Sequence, residues 1–324
     1  FDFVRPANGG GAWVFGLLLE ETLESRQSMK GQKDSVILHL KGGLGNQMFQ
    51  YAAGRDLSLR LGVPLWLELG GLENTNRSYR LGEYAVAANI VDTRTARRWI
   101  GADWKLPLIY KVVQKLRPYY RRAIFRPATF AFDANIRRVR PPVMLDGYFQ
   151  SPRYFEDHWN QIAAELTLSQ PLPDSTQRMR DQICTCENAV GVHIRRGDYV
   201  TDPEVQQFHG ICGLDYYMRG MEKIAAMTVA PTFFVFSDDL DWAKNHLPAV
   251  YSMVFVDCHR AESDYLDLFL LSQCTHFVLA NSSFSWWGAW MAQRRGKVVA
   301  PGRWFLAPHL QTHGLILNDW VRLE

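Results

Sequence analysis

AVGVHIRRGDYV, residues 189–200, opens as an apolar run in the β register and closes on a polar cluster. Where a buried strand should meet its loop, His193, Arg195, Arg196, Asp198 and Tyr199 fall within seven residues. Along a strand Arg195 and Arg196 point to opposite faces. One is then placed to fork onto a phosphate or carboxylate, while the other pairs with an acid such as Asp198. A structural ion pair at a strand end would account for two arginines alone. A histidine, two arginines and an acid at the carboxyl end of one predicted strand point instead to an anion-binding site.

Downstream of this stretch the pattern is regular. PTFFVFS, SMVFVD, THFVLA and KVVAP are short apolar runs, separated by the helical stretches GLDYYMRGMEKIAAM, DLDWAKNHL, ESDYLDLFLLSQ and FSWWGAWMAQRR. Strict alternation of strand and helix predicts a parallel, doubly wound sheet that binds ligands outside the carboxyl ends of its strands. PLPDST, residues 171–176, reads as a linker.

Upstream, SVILHL (35–40) runs into Lys41-Gly42-Gly43-Leu44-Gly45-Asn46-Gln47, after which MFQYAAGRDLSLRLG has helical spacing and VPLWLEL (63–69) supplies a second strand. In such a strand, glycine loop and helix, the backbone can approach a ligand closely and the helix start offers unpaired N–H groups. The spacing is not that of the dinucleotide fingerprint. Residues 70–142 are irregular and rich in arginine, tyrosine and proline, and read as short helices and connections with arginine stems lying over aromatic rings. VMLDGYF (143–149) reads as a strand, and SPRYFEDHWNQIAAEL as a helix opened by Ser151-Pro152. The chain therefore divides into residues 35–170 and 171–324, preceded by residues 1–34 as an extension or flexible arm in which Met29 is a candidate start.

Length and composition fit this division. A chain of 324 residues with 47% hydrophobic content has room for two cores. Its formal net charge of +3 is too mild for a nucleic-acid binder. The five cysteines, Cys184, Cys186, Cys212, Cys258 and Cys274, read as free thiols in a reducing cytoplasm. No apolar run reaches the roughly 20 residues of a membrane span, while the arginine runs leave room for peripheral association with an inner membrane. Eleven tryptophans and thirteen tyrosines suit either carbohydrate contact or core packing.

Three further groups carry chemistry. Asp238 and Asp239 follow the strand PTFFVFS and read as a helix cap or as anchors for the arginines rather than as metal ligands. Asp267, on a helix rich in Leu and Phe, needs a specific hydrogen bond if it is buried. Asn281-Ser282-Ser283-Phe284-Ser285 joins a strand to a helix, where hydroxyls and backbone donors can cradle a phosphate or simply cap the helix.

GGLGNQMFQYA, HIRRGDYV, FSDD and SQCTHFVLANSSFSWWGAW, in that order, resemble the bacterial α-1,2-fucosyltransferases and, more distantly, the α-1,6- and protein O-fucosyltransferases that share the H-x-R-R motif. The resemblance runs from about Val36 to the C-terminus. It implies an α/β fold of the GT-B type, with two Rossmann-like domains facing a cleft, acceptor-side first and GDP-fucose-binding second. It also implies an inverting, metal-independent galactoside α-1,2-fucosyltransferase with GDP-fucose as donor, no cofactor, and a galactose-terminated oligosaccharide as acceptor. On that basis His193 matches a guanine contact, Arg195 the arginine on the diphosphate, and Asp267 the acid that reads guanine N–H groups. Ser282 and Ser283 match diphosphate contacts, and Asn46 a residue facing the fucose. The catalytic base is left open among Asp198, Asp202, Glu204 or none. Rivals are a GT-B transferase using another nucleotide sugar and a non-catalytic carbohydrate- or anion-binding protein.

Overall fold

The computed structural model describes residues 34–102, 107–202, 206–207, 210–258, 263–306 and 314–324, without the side chains of residues 107–109, 198 and 201. The expectation for residues 1–34 thus lies, Asp34 apart, outside the described residues.

Strands β1 (Val36–His39), β2 (Leu65–Glu68), β3 (Asn89–Val91), β4 (Ile124–Phe125) and β5 (Val143–Leu145) form a five-stranded sheet in the order β3-β2-β1-β5-β4. Strands β6 (Ala189–Ile194), β7 (Thr232–Ser237), β8 (Ser252–Phe255), β9 (His276–Val278), β10 (Val298–Pro301) and β11 (Val321–Leu323) form a second sheet in the order β11-β10-β9-β6-β7-β8. Every pairing in both sheets is parallel. Two α/β units on parallel sheets, meeting at a cleft, constitute the GT-B arrangement that the alternating pattern and the motifs anticipate.

The intervening helices are α1 (Leu44–Leu61), α2 (Thr93–Trp99), α3 (Pro107–Leu116), α4 (Trp159–Glu165), α5 (Asp174–Thr185), α6 (Gly197–Thr201), α7 (Leu214–Ala225), α8 (Leu240–His246), α9 (Asp264–Ser272) and α10 (Ser283–Met291). None among the described residues is long and apolar enough to cross a membrane.

Strand order reverses between β6 and β9 in the second sheet and between β1 and β5 in the first. Such switch points open a crevice at the carboxyl ends of the strands. The segments leaving those four strands carry the glycine turn, Asp146–Gln150, Arg195–Arg196 and Asn281–Ser282. Topology alone therefore brings the motifs to two crevices.

The two units share a core. Trp286 and Trp287 on α10 are fully buried and pack on Phe49 of α1 with ring centroids 4.5 and 5.0 Å apart. The Trp287 indole N–H donates to the Gly45 carbonyl over 3.0 Å. Gly45 permits this approach, because a β-carbon there would lie 2.5 Å from backbone atoms of Ser283 and Phe284. Trp286 and Trp287 of the WWGAW stretch are thus core packing rather than a sugar platform.

Three local readings change. Helix α1 begins at Leu44, so Asn46 and Gln47 sit in its first turn rather than in a loop. The predicted helix after Ser151 is two 3₁₀ turns, Pro152–Tyr154 and Glu156–His158, before α4. Within 171–176, α5 already starts at Asp174, with Pro173 at its cap position and an acid in its first turn.

Candidate active site

A cleft of about 420 Å³ lies between the units at the carboxyl ends of β6 and β7. His193, Arg195, Asp238, Asp267 and Phe284 line it from the second unit, and Gly43, Leu44, Arg77, Ser78 and Arg80 from the first. Sequence reading placed His193, Arg195 and Asp267 more than seventy positions apart at their extremes, and the fold brings all three to one wall.

β6 is buried along its whole length, which puts His193 inside the sheet edge. Its ring stacks on Phe284 at 5.1 Å, and its Nδ1 has no hydrogen-bond partner among the described residues. Burial, with the Arg195 charge as a lesser contribution, pushes the imidazole down to about 3. His193 is therefore neutral, able to present one N–H and one lone pair to a heterocycle.

The arginine pair divides as a strand end dictates. Arg195 turns to the cleft, where its Nη1 sits 3.0 Å from Asp238 Oδ2 and its guanidinium 5.6 Å from the Tyr199 ring centre. Arg196 turns away. Its guanidinium lies 4.0 Å from the Trp242 ring centre and 3.3 Å from Asp239, and its backbone N–H donates to Asp238 over 2.7 Å. The paired acids are thus Asp238 and Asp239, and Asp239 also caps α8 by accepting from the Trp242 N–H. Both side chains are spent on holding the arginines, which fits the anchor reading over the metal reading.

Ser282 caps α10, its hydroxyl accepting from the Phe284 N–H over 3.3 Å. Ser285 donates to the carbonyls of Ala280 and Ser282. Neither Ser282 nor Ser283 lines the cleft, whereas Phe284, next in sequence, does. Asn46 likewise stands back from the cleft lining, and its Oδ1 accepts from Gln150 over 2.8 Å. Asp202 is exposed. The side chains of Asp198 and Glu204 lie outside the described residues.

Arg77 and Arg80 on the facing wall escaped the sequence reading. Buried Gln47 donates to the carbonyls of Gly42 and Ser78 and accepts from the Arg80 N–H, at 2.9, 2.8 and 3.0 Å. This one amide ties the glycine turn to the segment carrying Arg77 and Arg80. Arg80 reaches across the cleft to Asp264, 3.4 Å away at the start of α9, and burial raises the Asp264 carboxyl above its ordinary range despite that arginine. The cleft thus offers guanidinium groups from both units, a neutral imidazole, and the Asp267 carboxylate one turn further along α9. A nucleoside diphosphate has complementary chemistry: anionic oxygens for arginine, and base N–H groups for a carboxylate.

Comparison with known proteins agrees with this geometry. Residues 142–324 match the model of glycosyl transferase family 11. The chain is 30% identical over 306 residues to the O-antigen biosynthesis glycosyltransferase WbnK of Escherichia coli, covering 88% of this chain and 99% of the relative. It is 32% identical over 296 residues to an alpha-1,2-colitosyltransferase of Escherichia coli, covering 89% and 99%. It is also 31% identical over 160 residues to galactoside alpha-(1,2)-fucosyltransferase 1 of Ateles belzebuth, covering 47% and 43%. The expected kinship with α-1,2-fucosyltransferases is borne out.

Proposed function

Starting from a chain that belongs to glycosyl transferase family 11, and is a glycosyltransferase, we propose that it moves L-fucose from GDP-fucose to the 2-hydroxyl of a terminal galactose, with inversion and without a metal. The observation that carries this reading is the meeting of His193, Arg195 and Asp267 in one cleft. An ionised carboxylate only accepts hydrogen bonds. Asp267 therefore complements guanine, whose Watson–Crick edge carries adjacent N–H donors, better than adenine or uracil.

In the reaction the acceptor oxygen attacks the anomeric carbon on the face opposite the leaving group. The C–O bond to the β-phosphate breaks, GDP departs with the bonding pair, and the acceptor hydroxyl releases its proton to the medium. Negative charge grows on the β-phosphate, where Arg195 is preorganised by Asp238 and Tyr199. Arg77 and Arg80 approach from the other unit. Guanidinium groups supply the charge stabilisation that a divalent cation supplies in other transferases. A cytoplasmic setting goes with this reading, since the free thiols suit a reducing compartment.

One relative is a colitosyltransferase, and colitose is fucose without its 3-hydroxyl, so GDP-colitose is the second donor to compare. Thermal shift with GDP-fucose, GDP-colitose, GDP-mannose and UDP-galactose tests the donor class, because only bound ligand raises the melting temperature with concentration. Stabilisation by a GDP-6-deoxy sugar but not by a UDP-sugar supports the reading. The reverse order removes it.

A further inference from the structure

A second cavity, of about 460 Å³, opens at the carboxyl ends of β4 and β5, beside the first sheet's own switch point. Lys41, Arg126, Phe130, Asp146, Tyr148 and Tyr154 are among its walls. At its centre the Asp146 carboxylate, 12% exposed, accepts from Lys41 Nζ over 2.7 Å and from Arg126 Nε over 2.6 Å. Burial alone would raise this acid, but the bonds from Lys41 and Arg126 outweigh it and hold the carboxyl below its ordinary range.

Beside the charged set stands an apolar wall. The rings of Phe130 and Tyr148 lie within 10° of parallel with centroids 5.9 Å apart. Phe305, from the segment after β10 in the other unit, closes on Phe130 at 5.0 Å. An ion triad for stability needs no such wall, and the acceptor-only carboxylate has lone pairs that a donor hydroxyl can meet and an anion without donors cannot. A pyranose fits both features. Its C–H face packs on aromatic rings, its hydroxyls donate to the lone pairs left on Asp146, and its oxygens accept from the remaining Arg126 N–H groups.

Position supplies the second argument. The short segment after β1 contributes Lys41 to this cavity and Gly43 and Leu44 to the donor cleft. Lys41 and Gly43 are two residues apart, a span of at most ~7 Å. The two cavities therefore adjoin along the segment 41–44, so a sugar seated on the Phe130–Tyr148 wall neighbours the donor cleft.

We propose that the cavity bounded by Asp146, Arg126, Phe130 and Tyr148 is the acceptor subsite and takes a neutral pyranose of the galactose class. The proposal rests on the transferase reading above and goes beyond it in assigning residues to the acceptor. Asp146→Asn keeps the shape but weakens both charged contacts. Phe130→Ala removes half the wall without touching them, and its partly exposed position spares the core.

The test measures acceptor KM with GDP-fucose and lactose, GDP binding by thermal shift, and lactose binding to GDP-loaded protein by saturation-transfer NMR. Expected are a rise in acceptor KM of about tenfold or more in each variant, an unchanged GDP shift, and a weakened lactose signal. Acceptor KM and lactose signal within about twofold of wild type in Phe130→Ala, the variant least able to disturb folding, would overturn the assignment. If wild type binds lactose through these residues yet uses no GDP-fucose, the subsite stands and the donor reading falls.

Discussion

Gly45→Ala asks whether the glycine turn is shaped by contact between the two units. The added β-carbon would lie 2.5 Å from the Phe284 nitrogen and 2.5 Å from the Ser283 carbonyl carbon. Both are backbone atoms, so neither can rotate aside. Overpacking of this kind costs ~1–3 kcal/mol. Displacing the start of α10 also strains the bond from the Trp287 indole to the Gly45 carbonyl, which contributes about 1 kcal/mol. Alanine's better helix propensity offsets at most ~1 kcal/mol. The net expectation is a loss of about 1–3 kcal/mol.

Gly54→Ala, in the same helix, is the internal control. Its β-carbon would meet only side-chain methyls, Leu65 Cδ1 at 3.2 Å and those of Leu38 at 3.6 Å. Crowding and propensity then oppose each other, and stability should stay within about 1 kcal/mol of wild type. Guanidinium unfolding of both variants reads the difference, and GDP-fucose thermal shift reads the cleft, because moving α10 moves Phe284 in the donor wall. A Gly45→Ala protein with wild-type stability and donor affinity would refute the reasoning.

Other expectations concern the site itself. Arg195→Ala should lose roughly 2–4 kcal/mol of transition-state stabilisation, a drop of ~30- to ~1,000-fold in kcat/KM. Arg195→Lys should also be poor, because a point charge cannot replace a fork; near wild-type turnover in steady-state assays would contradict this. His193 has its folded value near 3 against an ordinary 6.5, so between those pH values the unfolded chain binds the extra proton. Stability should fall as pH drops through that window, by at most ~1.4 kcal/mol per unit for one proton. His193→Gln should flatten that slope in urea titrations run from pH 7 to pH 4.5. Transfer activity should survive EDTA unchanged, and activity restored only by added Mg²⁺ or Mn²⁺ would show that the arginines do not suffice.

Much of this architecture was legible because buried parallel strands announce themselves. The AVGV start of β6 and the FFVF core of β7 are short apolar runs, and each leads into a polar cluster at the sheet edge. The first sheet was legible only at its centre. β3 and β4 are three and two residues long, and Asn89 and Ile90 are exposed, so neither edge strand shows a core pattern. His193, Arg195 and Asp267 sit on elements whose registers are readable, and all three reach the cleft.

Arg77 and Arg80 were not legible, because their placement depends on a hydrogen bond between Gln47 and a backbone 33 positions away. The cavity around Asp146 was hidden for a similar reason. Lys41 and Asp146 meet across 105 positions, and only the pairing of β1 with β5 brings them together. Aromatic content does not separate core from cavity lining, and the fold shows both kinds: Trp286 and Trp287 are core, while Phe130 and Tyr148 line a cavity.

The central claim is the transfer of a fucosyl group to a galactose 2-hydroxyl. Incubation of the protein with GDP-fucose and lactose, followed by NMR of the saccharide product, tests it most directly. The account predicts stoichiometric GDP release and a single new fucose in α linkage at O2 of galactose. Fucose appearing on another position, a retained β linkage, or no transfer to any galactose-terminated acceptor would contradict it.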